Sequence, residues 1–91
     1  MSSNNIICFG EILWDIFPGG KMLGGAPFNV AASIHGLGGN VQFISRVGND
    51  SLGHEITEKM KAQGLSIKFI QSDNFHATGT VSYTHLRAHE T

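Results

Sequence analysis

Charged residues are scarce in this chain, and those present form no cluster. Lys, Arg, Asp and Glu make up 14% of the 91 residues and give a net charge of −1, whereas roughly 25% is usual for soluble domains. The six Lys and Arg residues are scattered, so no basic stripe could follow a phosphate backbone. The sequence therefore argues against nucleic acid as a partner. The low charge, together with twelve glycines, suggests that segments of this chain are packed against other parts of a larger protein.

Cysteine and long apolar runs are also nearly absent. The single cysteine, Cys8, rules out a disulfide within the chain and is predicted to be a small buried hydrophobe in a reducing compartment. No apolar run approaches the length of a membrane span, and residues 1–5 lack the basic and apolar regions of a signal peptide. We therefore expect a cytoplasmic location and no membrane partner.

Hydrophobic patterning predicts alternating strands and helices. Short apolar or alternating runs of this kind are typical of strands, and here they occupy residues 6–10, 41–47 and 65–70. Residues 27–37 and 51–63 predict helices, and the Pro- and Gly-rich residues 18–25 predict a loop. The order strand, helix, strand, helix, strand indicates an α/β layered fold with parallel pairing.

The first predicted helix has the composition of a buried element. Pro27 suits a first helical position, and the apolar residues Val30, Ile34 and Leu37 recur at spacings of four and three. The small side chains between them would let the helix lie close to a sheet. Gly36, Gly38, Gly39 and Asn40 end it.

The second predicted helix has clear signals at both ends. Asp50 is a suitable N-cap and Gly64 a natural stop. The apolar stripe between them consists of Leu52, Ile56 and Met60, which predicts one face packed on the core.

Two nucleotide-binding motifs are absent. Gly20-Lys21 resembles the end of a P-loop, but Asp15 stands where its first glycine belongs and Met22 where Ser or Thr belongs. The first strand is followed by Gly10-Glu11, which is not the dinucleotide fingerprint. Neither pattern predicts a phosphate site in this chain.

Asp15, Asn29 and the glycines before Asn29 are the candidate binding residues, and each has a structural alternative. Asp15 could face solvent on an edge strand, Asn29 could satisfy free N–H groups at a helix start, and Gly24-Gly25 could form a tight turn. Together, a carboxylate acceptor, an amide that accepts and donates, and open backbone suit a neutral polyol such as a sugar. The histidines show no convincing pairing for a metal site.

The segment "GGAPFNVAASIHGLGGNVQFISRVG" resembles the first signature of the ribokinase-like (phosphofructokinase B-type) carbohydrate kinases, in their fructokinase-like branch. The matching positions are Gly24, Gly25, Pro27, Asn29, Ala31, Gly38 and Gly48. The flanking "GEILWDIFP" and "RVGNDSLGHEI" also resemble this family. The resemblance implies the N-terminal part of a three-layer ribokinase-like fold, with residues 12–17, 65–70 and 76–81 in a small β lid.

The same resemblance implies a function and its missing parts. Asp15, Gly24, Gly25 and Asn29 become expected sugar contacts in a kinase that transfers the γ-phosphate of ATP, with Mg²⁺, to a sugar hydroxyl. The catalytic base of the family lies in a Gly-Ala-Gly-Asp-like motif that this chain lacks. We therefore expect residues 1–91 alone to be inactive and to bind no cofactor. The resemblance also implies that the intact parent dimerises through its lid. A nucleoside kinase of the superfamily and a non-catalytic sugar-binding or structural fragment remain alternatives.

The end of the chain departs from the family. Residues 81–91 ("VSYTHLRAHET") equal the translation of one reading frame of a widely used transposase sequencing adapter. We expect residues 1–81 to be an incomplete kinase domain and residues 82–91 to be a non-native tail, with Val81 ambiguous between the two.

Overall fold

The computed structural model describes residues 5–83, so predictions for residues 84–91 fall outside the described residues. Its elements in chain order are β1 (Asn5–Phe9), β2 (Leu13–Phe17), β3 (Gly20–Gly24), α1 (Ala26–Gly36), β4 (Asn40–Gly48), α2 (Ser51–Ala62), β5 (Ile70–Asp73) and β6 (Thr80–Ser82).

A parallel sheet of order β1-β4-β5 carries the two helices. The register of β1 and β4 runs from Asn5 opposite Asn40 to Phe9 opposite Ile44. β4 alternates, and its buried side chains Val41, Phe43 and Val47 join the core with residues of both helices. The α/β class predicted from the order of elements is confirmed.

A second sheet, of order β3-β2-β6, forms the predicted small lid, and we call it the lid sheet. β2 runs antiparallel to β3 and parallel to β6. The prediction of a loop over residues 18–25 was wrong, because Pro18 and Gly19 make a two-residue turn and Gly20–Gly24 pairs with β2. Gly and Pro signalled the turn but hid the short strand after it.

The prediction for residues 65–70 was also wrong. The strand begins only at Ile70, and it pairs with β4 in the parallel sheet rather than joining the lid sheet. Leu65 instead follows the end of α2. Its N–H donates to the Met60 carbonyl (2.9 Å), and its side chain is buried in the core. Local turn bonds, such as Ile70 N–H to Ile67 O at 3.1 Å, replace a sheet ladder there.

The two helices differ in how well their sequence predicts them. In α2 the Asp50 carboxylate accepts from the Gly53 N–H (2.8 Å), Ile56 and Met60 are fully buried, and Gly64 follows with φ +84°, all as predicted. In α1 the predicted apolar stripe was wrong at two of its three positions: Ile34 packs against the core, but Val30 and Leu37 are 53% and 89% exposed.

The buried residues of α1 are Phe28 and Ala31. The Phe28 ring meets Phe43 edge to face at 5.8 Å between centroids, and this aromatic contact turns the helix so that Val30 lies outside the core.

One face of the parallel sheet is uncovered within the described residues. Ile7 is 64% and Phe9 78% exposed, and Cys8, which was predicted to be buried, is only half-buried. Ile7 and Phe9 stand opposite Gln42 and Ile44, on the face away from the helices. Within residues 5–83 no helix is long and apolar enough to cross a membrane.

Candidate functional site

Asp15 lies at the centre of the lid sheet, in the middle of β2. Its partners across the two ladders are Met22 of β3 and Val81 of β6. The side chain is half-buried and rests against Gly24, where an added Cβ would overlap its carboxylate oxygen. The Tyr83 hydroxyl donates to the other oxygen at 3.4 Å. Because Tyr83 belongs to the predicted non-native tail, the packing against Gly24 is the contact expected to place this carboxylate in the intact protein, and acceptor capacity remains.

Gly24 and Gly25 bring this carboxylate close to the start of α1. Gly24 ends β3 and is buried, while Gly25 has φ +104° and is the N-cap of α1. A Cβ on Gly25 would lie 2.7 Å from the Glu11 carbonyl oxygen. Both glycines thus have a packing reason to lack a side chain, because carboxylate and backbone occupy the space that a Cβ would need.

Asn29 lies in the first turn of α1 and is exposed. Its backbone N–H donates to the Gly25 carbonyl at 2.9 Å. No side chain caps this helix, so the structural alternative, in which the Asn29 amide satisfies free N–H groups, is not what the structure has. Within residues 5–83 the Asn29 side chain makes no hydrogen bond, so its amide can accept and donate to a ligand.

The four predicted residues are joined by short contacts. Asp15 touches Gly24, Gly25 follows it in the chain, and Asn29 bonds to Gly25. No hydrogen bond links Asp15 with Asn29 in the described part of the chain. The arrangement offers a carboxylate, an amide and the uncapped N–H groups of α1, which suits an uncharged ligand with several hydroxyl groups.

A hollow of about 620 Å³ lies on the uncovered face of the parallel sheet, beside the carboxyl end of β1. Its lining includes Phe9 at the end of β1, Glu11 after it, Ile44 and Arg46 of β4, and Gln71 of β5. The Arg46 guanidinium donates to Gln71 Oε1 at 2.9 Å. The sequence analysis did not select these polar residues. Phe9 and Ile44 stand opposite each other on the face away from the helices, so this hollow is part of the uncovered sheet face and is not assigned to the sugar site.

A buried polar cluster lies where the lid sheet meets α2. The Thr78 hydroxyl donates to Asp50 Oδ1 at 2.6 Å, and the Thr78 N–H donates to Asp50 Oδ2 at 3.0 Å. With the Gly53 N–H, these bonds hold the pKa of the Asp50 carboxyl below its usual value, the Thr78 hydroxyl having the largest effect. Asp50 is therefore ionised and fixed at the start of α2.

Metal-binding groups do not gather in the described part of the chain. Among residues 5–83 no group of three or more His, Cys, Asp or Glu side chains is placed to hold an ion. Asp73 has a lowered pKa, first because the Phe75 N–H donates to its carboxylate. This local turn accounts for that carboxylate without a metal.

The comparisons with known proteins agree with this fold. The profile of pfkB family carbohydrate kinases matches residues 6–91, and the chain belongs to this family. The fructokinase of Escherichia coli is 37% identical over 84 residues, which are 87% of this chain and 27% of that protein. The chain thus spans little more than a quarter of that curated relative.

Solved structures show the same likeness. An uncharacterised sugar kinase from Pyrococcus horikoshii superposes with a TM-score of 0.84 at 30% identity, covering 93% of this chain and 32% of that one. The fructokinase of Vibrio cholerae O395, solved with fructose, ADP and calcium ion bound, gives a TM-score of 0.80 at 30% identity, over 90% of this chain and 28% of that one. The predicted family and fold are confirmed.

Proposed function

We propose that the intact protein is an ATP-dependent, fructokinase-like sugar kinase and that this segment supplies part of its sugar site. One observation carries the proposal: the Asp15 carboxylate is held against Gly24, beside an α1 N-terminus that has no side-chain cap and a free Asn29 amide. Carboxylates accept hydrogen bonds from sugar hydroxyls, and an amide can bridge neighbouring ones. The fructose in the Vibrio cholerae relative supports fructose as the first substrate to test.

The reaction requires groups beyond this segment. A base must take the proton of the attacking sugar hydroxyl, and the γ-phosphate must be positioned and its charge neutralised. The relatives are more than three times as long as the matched segment, and we place the base, in a Gly-Ala-Gly-Asp-like motif, in that further part. Residues 1–91 alone are then inactive.

ATP and Mg²⁺ are the proposed cosubstrate and ion of the intact protein. The support comes from neighbours, since one was solved with ADP and calcium ion. The described residues themselves do not fit either group, because no metal-ligand cluster is present among residues 5–83 and the P-loop pattern is absent. We therefore assign no residue of this segment to ATP or Mg²⁺.

The lid sheet is the proposed dimer interface of the intact protein. Its exposed apolar side chains support this, with Met22 at 65% and Val81 at 39% exposure, since apolar residues on an open sheet face favour association. Sedimentation velocity of the full-length kinase tests the proposal. A monomer at all concentrations would contradict it.

The sugar site is tested by steady-state kinetics of the full-length kinase with fructose and a panel of other sugars and nucleosides. Losing a hydrogen bond to a charged group costs about 1.5–3 kcal/mol, so Asp15→Ala should raise the sugar KM roughly ten- to hundredfold. Asn29→Ala should act in the same direction, and the ATP KM should stay the same for both.

Glu58→Gln is the matched control, because this carboxylate is exposed on α2 and pairs only with Lys61 in the described part of the chain. If Asp15→Ala keeps the parent's sugar KM, Asp15 is structural. If nucleosides are phosphorylated in preference to sugars, the nucleoside kinase alternative is correct.

A further inference from the structure

The lid sheet is attached to the first turn of α2 by side chains from three separate segments. β2 contributes Trp14, β3 contributes Lys21, and the residues before β6 contribute Thr78. All three meet residues 50–55, at the start of one helix. This convergence accounts for several buried polar groups that the sugar site does not use.

Trp14 makes the central attachment. Its ring is 1% exposed, and its indole N–H donates to the Leu52 carbonyl oxygen at 3.0 Å. Lys21 lies over the ring at 4.9 Å from its centroid and pairs with Glu55 at 3.3 Å. A buried donor that loses its acceptor is costly, so this bond fixes the distance between β2 and the helix.

Thr78 attaches the other side of the lid sheet. It is 6% exposed and bonds to Asp50 through both its hydroxyl and its N–H, at 2.6 and 3.0 Å, while the Gly48 N–H donates to its hydroxyl at 3.0 Å. The packing leaves no free space, because a Cβ on Gly48 would lie 2.5 Å from the Thr78 nitrogen. β6 therefore starts from a fixed point.

Both attachments lead directly to Asp15. Trp14 precedes Asp15 in β2, and neighbouring residues of a strand point to opposite faces, so Trp14 faces the helix while Asp15 faces Gly24. β6 places Val81 opposite Asp15. A shift of Trp14 would reach the Asp15 backbone through one peptide bond, and a shift of Thr78 would reach it along the chain to Val81 and then across one pair of the ladder.

We propose that the first turn of α2 sets the position of Asp15, with Trp14 and Thr78 as positioning residues for the sugar site. The inference rests on the proposed role of Asp15 as a sugar contact. Small displacements of a binding group have large effects on turnover, so these attachments control sugar use although neither side chain touches the sugar.

The test is a double-mutant cycle in the full-length kinase, with Trp14→Phe, Asp15→Asn and both together. Trp14→Phe keeps most of the ring and removes the N–H, and it should raise the sugar KM about three- to tenfold while the ATP KM stays the same. In the Asp15→Asn background it should change the sugar KM by less than about twofold, because it acts through Asp15. Equal effects in both backgrounds, or no effect, would overturn the proposal.

Two controls separate positioning from stability and from the proposed function. Val41→Ala removes buried volume at the amino end of β4, away from the lid sheet, and should lower the melting temperature without changing the sugar KM. If Asp15→Asn itself leaves the sugar KM unchanged, the proposed function fails. If Asp15→Asn raises the KM and Trp14→Phe does not, only the positioning role fails.

A second pair of variants applies if Trp14→Phe does not fold. Thr78→Val keeps the shape of the side chain and removes its hydroxyl, whereas Thr78→Ser keeps the hydroxyl. The sugar KM should rise about three- to tenfold in the first variant and return to the parent value in the second. Equal KM values in both variants would contradict positioning by Thr78.

Discussion

Gly24→Ala is predicted to damage sugar use while leaving the fold nearly intact. An added Cβ would overlap an oxygen of the Asp15 carboxylate, and it would lie 3.0 Å from Asp15 Cγ and 3.3 Å from Leu13 Cδ1. Gly24 does not have a positive φ, so alanine fits its backbone conformation. The effect should therefore come mainly from displacing the Asp15 side chain, with a smaller adjustment of Leu13.

The structure gives the size of both effects. The atom that must move is the end of a short side chain, and forcing such a chain off its rotamer costs about 0.5–1.5 kcal/mol. Misplacing a substrate-binding group by about 1 Å can cost about a hundredfold in rate. We therefore expect a fall in sugar kcat/KM of about ten- to hundredfold with a small loss of stability.

Kinetics and thermal melting of the full-length kinase measure the two quantities in one preparation. Gly19→Ala is the matched control, because Gly19 lies in the β2–β3 turn, has no positive φ and has no atom within 4 Å of an added Cβ. It should behave as the parent does. If Gly24→Ala retains normal sugar kcat/KM, the Asp15 carboxylate is not placed for the substrate.

Three further predictions follow from other contacts. Because the Asp50 pKa is held below its ordinary 3.8, its ionised form stabilises the fold above pH 3.8, and this contribution is lost as the pH falls through the lowered value. Melting curves of the parent between about pH 6 and 3 should therefore show a fall that is smaller in Asp50→Asn but still present, because Asp73 also has a lowered pKa; an equal fall in the parent and the variant would contradict this. Purified residues 1–91 should phosphorylate no sugar with ATP, and turnover that persists after removal of host kinases would place the base within this segment. The isolated chain should aggregate through its open sheet face, so Phe9→Ser should reduce light scattering whereas Phe75→Ser, which changes a 90% exposed loop residue, should not; equal effects would point to a different surface.

Elements with local end signals could be predicted from the sequence. α2 has its N-cap Asp50, its stripe with Ile56 and Met60, and its stop at Gly64, and all of these depend on residues within one helix. β3 and the true start of β5 could not be predicted, because pairing with β2 and β4 decides them. Strand propensity depends on such neighbours more than on the strand itself.

The site shows the same division between local and long-range information. Asp15 and Asn29 could be selected because their chemistry and their motif are local, and their roles as sugar contacts remain proposals. The bonds from Trp14 to Leu52 and from Thr78 to Asp50 join residues 38 and 28 positions apart. No spacing rule in the sequence connects such residues, so only the fold reveals what holds Asp15 in place.

The most direct test of the central claim is a crystal structure of the full-length kinase with fructose bound. The account predicts that the Asp15 carboxylate lies within about 2.6–3.2 Å of sugar hydroxyl oxygens, with the Asn29 amide on the same sugar. It also predicts that the sugar lies beside Gly24 and Gly25, below the lid sheet. A fructose molecule bound elsewhere, with Asp15 and Asn29 both out of hydrogen-bond reach, would contradict the account.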